Sequence, residues 1–172
     1  ADIEVGPMKF VLNISALRDN DGTYIGCGLE WSDVTSLREQ EEKAAILNST
    51  IEGSATAIIT CDRDLVITYA NPSTVTMVKK SLHVFQEAFP GFDLNGLVGT
   101  CIDIFHKNPA HQRKILSDPN NLPYQADIEV GPMKFFLNVA GLFDAGGNYT
   151  GNSLEWSDVT EARAGAAQAA SL

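Results

Sequence analysis

The chain has 172 residues, a hydrophobic share of 44% and a formal net charge of −10, which suits one compact domain of about 110 residues with extensions. Its acidic residues are spread along the sequence and argue against a nucleic-acid partner, because binding phosphates requires a basic face. Three scattered cysteines (Cys27, Cys61, Cys101) without a CxxC exclude a disulfide framework and suit a reducing, cytoplasmic setting, while no apolar run approaches the roughly 20 residues of a membrane span and the start does not read as a signal peptide.

Residues 1–35 (ADIEVGPMKFVLNISALRDNDGTYIGCGLEWSDVT) reappear as residues 126–160 (ADIEVGPMKFFLNVAGLFDAGGNYTGNSLEWSDVT), with 24 of 35 positions identical at an offset of 125. This is a tandem duplication. Only the second copy has a long segment, 51–125, in front of it. The organisation expected is therefore the C-terminal strands of a preceding repeat (1–35), a helical linker (36–52), a complete module (53–160) and an Ala-rich tail (161–172), helical or disordered. The first copy carries the inward stripe Met8, Phe10 and Leu12 without partner strands. It is expected either to be disordered or to pair with another chain, for example by swapping into it.

The linker 36–52 reads as a helix with Leu37, Ala44, Leu47 and Ile51 at a/d-type spacing, equally suited to joining modules, dimerising them or covering the next domain. Residues 55–61 and 65–70 read as strands across the turn Asp62–Asp64. Asn71 is a plausible N-cap with Pro72 at the first helical position. Residues 81–89 suit a second short helix, and Gly91, Gly96 and Gly99 mark loops. His106 precedes a helix expected from Pro109 to Leu116, which stops at Asp118-Pro119. In 126–130 and 133–139, apolar residues alternate: Ile128 and Val130, then Met133, Phe135, Leu137 and Val139, with Phe136 facing outward. Asp144–Asn148 is a turn, and in the last strand, 149–160, Leu154, Trp156 and Asp158 share a face.

Two strands, short helices and three strands, with ANPS after the second strand and EWSDVT closing the last, resemble a PAS domain over about residues 50–160, and over 1–35 for the partial copy. The resemblance implies an α+β fold: a five-stranded antiparallel sheet with short helices over one face and a cofactor cleft between. Asp158 and Thr160 match the D-x-T motif at which PAS domains pass to a signalling helix, as do Asp33 and Thr35.

The string IDIFHKNPAHQRKIL (102–116) followed by EWSDVT resembles, more narrowly, the haem-binding PAS modules of aerotaxis-type chemoreceptors. That resemblance implies haem b as cofactor, with His106 as axial iron ligand and His111 as its rival. Trp156 would donate a hydrogen bond to a bound gas, and Leu137 would keep that side apolar. Phe105, Leu116, Ile128, Met133, Phe135 and Leu154 would line the pocket. It also implies dioxygen or another diatomic gas as ligand, adjacent PAS, HAMP or signalling helices as partners, and a homodimer or higher assembly. The chemistry is sound in itself: imidazole is a common haem ligand, and a buried indole N–H can only donate. His83 has no such context. The alternative is a PAS relay and dimerisation module without cofactor, or a pocket for flavin or a small organic ligand. A flavin photosensor's cysteine motif is missing, as are Walker, HExxH and GxSxG motifs, so nothing in the sequence argues for catalysis.

Overall fold

The computed structural model describes residues 1–169, with side chains to 166; the end of the expected tail, 170–172, lies outside the described residues. The chain divides into two compact units, 1–50 and 51 onward. In the first, β1 (Asp2–Val5), β2 (Met8–Arg18) and β3 (Tyr24–Asp33) form an antiparallel sheet in that order, and α1 (Thr35–Glu52) follows. The first copy is thus ordered within the chain, and its strands pair with one another. Their apolar face stays open, with Trp31 55% and Val5 55% exposed.

The second unit contains β4 (Ala57–Asp62), β5 (Ile67–Ala70), α2 (Pro72–Lys80), α3 (Leu82–Ala88), α4 (Pro109–Leu116), β6 (Tyr124–Val130), β7 (Met133–Phe143), β8 (Tyr149–Asp158) and α5 (Thr160–Ala169). The sheet order is β5-β4-β8-β7-β6, and every neighbouring pair is antiparallel. This is the expected α+β architecture of five antiparallel strands with short helices. The helix at 109–116 has the expected limits; the strands at 55–61 and 65–70 each begin two residues later, and the last strand ends at Asp158 because Thr160 already opens α5.

Local chemistry explains the turns. Asp62 Oδ1 accepts from the N–H groups of Asp64 and Val66, and Asp144 Oδ1 accepts from those of Gly146 and Asn148. Both are aspartate-anchored turns. Asn71 caps α2 as expected, its Oδ1 taking the N–H of Thr74 at 3.0 Å. It does more than cap. The side chain is wholly buried, its Oδ1 also accepts from Ile58 N–H (2.9 Å), and its Nδ2 donates to the carbonyls of Thr56 (2.9 Å) and Ile51 (3.2 Å). One amide therefore fixes α2 to the start of β4.

The core lies between the sheet and α2, α3 and the loop segments around Phe92, Leu97 and Phe105. Phe135, with no exposed surface, is central; burying such a side chain stabilises by about 2–3 kcal/mol. Phe136, its neighbour, lies on the other, outward face as expected and is half-buried.

Candidate ligand-binding core and output junction

His106 terminates a 3-10 turn, Ile102–Phe105, and is half-buried. Its Nδ1 lies 2.8 Å from the carbonyl oxygen of Ile102. A carbonyl can only accept, so Nδ1 is the donor, and the nitrogen left to offer a lone pair is Nε2. That is the tautomer a metal ligand needs. His111, on the first turn of α4, is exposed, as is His83. The turn bearing His106 is tied to α4 by a bidentate ion pair, Arg113 Nη2 and Nε to Asp103 Oδ2 at 2.7 and 2.9 Å.

Trp156 stands in the middle of the sheet, opposite Ala57 on one side and Leu137 on the other. Period-2 pleating puts all three on one face, so Leu137 and Trp156, paired only by the resemblance, are brought together. Trp156 is 9% exposed, and its Nε1 has no hydrogen-bond partner among the described residues. A buried, unpaired N–H costs about 1–3 kcal/mol, so the fold tolerates a donor it does not itself use.

An aromatic series links the two residues. Phe85 is edge-on to Trp156 (centroids 5.9 Å apart) and touches Phe135, Phe89 and Phe92; Phe105, beside His106, is edge-on to Phe89 at 5.1 Å. Of the expected lining residues, Phe105, Ile128, Met133, Phe135 and Leu154 belong to or pack on this core. Leu116 is buried but packs outside the main cluster. The expected cleft is occupied by these rings. The more open clefts lie elsewhere, one of about 360 Å³ between α2 and the β7 and β8 ends, lined by Met77, Lys80, Met133 and Asp158.

Phe85, Phe89 and Phe92 were not among the expected pocket residues. Their i, i+4, i+7 spacing was the available signal, since it stacks rings on one side of a helical turn. The residues present nonetheless fit a haem in chemistry: a histidine with a free Nε2, an unpaired indole donor, and an apolar aromatic lining that would have to part.

Asp158 and Thr160 build the exit from the sheet. Asp158 Oδ1 accepts from the N–H (2.9 Å) and hydroxyl (2.5 Å) of Thr160, whose Oγ1 accepts from Lys134 N–H at 2.9 Å. Arg163, one turn into α5, pairs with Asp127 on β6 at 2.9 Å. Every one of these contacts recurs in the first copy: Asp33 with Thr35, Thr35 with Lys9, Arg38 with Asp2. The Thr35 hydroxyl and N–H hold the Asp33 carboxyl below its ordinary pKa. Motif and joint are inherited together, so the first turn of each helix is fixed to the edge of its sheet.

No protein-family model matches the chain. Over 117 residues, 68% of the chain, it is 32% identical to the methyl-accepting chemotaxis protein McpB of Pseudomonas aeruginosa, of whose length it spans 17%. A structure of the Aer2 receptor of Vibrio cholerae, described as a dual PAS-heme oxygen sensor, is 41% identical, covers 61% of the chain and is itself covered to 95%, with a TM-score of 0.59. A PAS domain from Colwellia psychrerythraea has the same fold at 12% identity, covering 69% of the chain and covered to 98%, with a TM-score of 0.51. Among the described residues no helix is long and apolar enough to cross a membrane. Fold, junction and relatives agree, and the chain carries a PAS domain related to those of chemoreceptors and of a PAS-heme oxygen sensor.

Proposed function

We propose that residues 53–160 are a haem-based sensor of dioxygen or another diatomic gas, acting in the cytoplasm and passing its ligand state to a chemotaxis-type output. The observation that carries this reading is the unpartnered N–H of Trp156, buried opposite Leu137. Haem b, when bound, would supply an iron that coordinates the gas. His106 would hold it through Nε2, with the Ile102 carbonyl fixing the ring and making it more basic. Trp156 would give its free N–H to the bound ligand, which favours a polar diatomic over carbon monoxide, and Leu137 would exclude water. Phe85, Phe89 and Phe105 would move aside. Asp158 and Thr160, on the strand of Trp156 and at its end, would convey the change to α5 and the helices beyond.

The structural relative at 41% identity, itself described as an oxygen sensor, supports this reading. The ring-filled core favours a second reading, a PAS relay and dimerisation module without cofactor. We also propose that residues 1–35 are the C-terminal strands of another PAS repeat, a reading supported by Val5 and Trp31, which are open where their counterparts Val130 and Trp156 are 4% and 9% exposed. Titration with haemin separates the two. The sensor takes up one haem per chain with a sharp Soret band, loses it in His106→Ala and keeps it in His111→Ala. A relay takes up none, and loss in His111→Ala alone would transfer the ligand to the rival histidine.

A further inference from the structure

Where α4 ends against β8, one hydroxyl faces two acceptors. The Tyr149 hydroxyl is 2.6 Å from the carbonyl oxygen of Leu116 and 2.5 Å from the side-chain oxygen of Asn152. A phenol has one proton and can satisfy only one of them. Asn152 is meanwhile 1% exposed, and its Nδ2 has no partner among the described residues. Turning the amide by half a rotation exchanges oxygen and nitrogen without changing its shape. Nδ2 then donates to the Tyr149 oxygen, and the Tyr149 O–H donates to Leu116. The conflict disappears, and the side-chain oxygen takes over the position that has no partner among the described residues.

We infer that Asn152 and Tyr149 form a polar latch, Asn152 N–H to Tyr149 O–H to Leu116 carbonyl, that makes β8 follow any displacement of α4. The latch deepens the sensor reading and rests on it. The His106 turn is fixed to α4 through Asp103 and Arg113; α4 ends at Leu116; the latch then enters β8 four residues before Trp156. Iron-side and gas-side groups would so converge on one strand. Arg63 holds the ring in place, with its guanidinium 4.7 Å from the ring centroid and donating to the Tyr149 carbonyl. Burial raises the phenol's pKa, which keeps the proton the latch needs. In the first repeat, cysteine (Cys27) stands where Asn152 does, and the matching Tyr24 is exposed. The sheet therefore does not require the pair.

The test is hydrogen exchange on the whole chain, wild type against Tyr149→Phe, with Asn152→Cys as the variant that borrows the repeat's own residue. Without haem, either substitution should speed exchange in the last turn of α4 at least tenfold. With haem, wild type should show an oxygen-dependent change in residues 150–160, reduced at least threefold in either variant at unchanged haem stoichiometry. An undiminished oxygen response in both variants overturns the latch. Failure of wild type to bind haem overturns the sensor reading instead, and unchanged α4 exchange in both variants without haem refutes the bond itself.

Discussion

Trp156→Phe should leave the stability of the haem-free polypeptide nearly unchanged while weakening oxygen binding by the haem-reconstituted protein. Replacing indole by phenyl removes roughly 40 Å² of buried apolar surface, about 1 kcal/mol, and leaves a small void costing about 1 kcal/mol more. The same change removes an unpaired buried donor, which returns about 1–3 kcal/mol. The terms nearly cancel, and urea unfolding should show a difference within about 1 kcal/mol. Trp156→Leu loses most of the ring contacts to Phe85 and Phe135 as well and should cost about 2–4 kcal/mol. With haem present, the lost hydrogen bond amounts to about 1–2 kcal/mol, a five- to thirtyfold fall in oxygen affinity. A Trp156→Phe protein destabilised by about 3 kcal/mol with unaltered oxygen affinity would show that the indole is ordinary core and its N–H irrelevant.

Asn71→Ala removes the cap of α2 and strands the Ile58 N–H and Thr56 carbonyl; the expected loss of about 3–4 kcal/mol should move the urea midpoint by about 2 M, and a shift under about 0.5 M would contradict it. Gly151 and Gly26 both have positive φ (157° and 151°), but a Cβ at Gly151 would meet the Cys61 carbonyl oxygen at 2.0 Å while none lies within 4 Å of Gly26. Gly151→Ala should therefore destabilise its unit by about 2 kcal/mol more than Gly26→Ala does its own; equal effects would refute the close approach of β8 to β4. Burial pushes the Cys61 thiol up to about 11, leaving on the order of a thousandth as thiolate at pH 8. Native alkylation should label exposed Cys27 first and Cys61 last, and equal rates would mean that β4 opens readily.

The alternation of Met133, Phe135 and Leu137 and the cap at Asn71 were legible because both are local: a strand's period and a helix's first turn are written in adjacent residues. The D-x-T junction was legible as a motif, and the repeat now shows why it persists, since Lys134 and Asp127 hold it in one copy as Lys9 and Asp2 do in the other. The facing of Leu137 and Trp156 depends on the register of two strands, fixed by the turn at Asp144–Asn148 with its irregularity between Leu142 and Phe143, and no spacing rule supplies that. The filled core was only partly legible: the spacing of Phe85, Phe89 and Phe92 puts their rings on one side, but whether those rings fill the cleft is decided by shape. Asn152 could have been found: it shares parity with Leu154 and Trp156, and a polar residue at an inward position needs a partner.

The most direct test of the sensor reading is the absorption spectrum of the haemin-reconstituted, reduced chain, first under argon and then under oxygen. A spectrum that shifts reversibly with oxygen in wild type, and in His111→Ala but not His106→Ala, is the predicted result. A wild-type spectrum indifferent to oxygen, or no stoichiometric haem uptake, would contradict it and leave the domain as a relay between other modules.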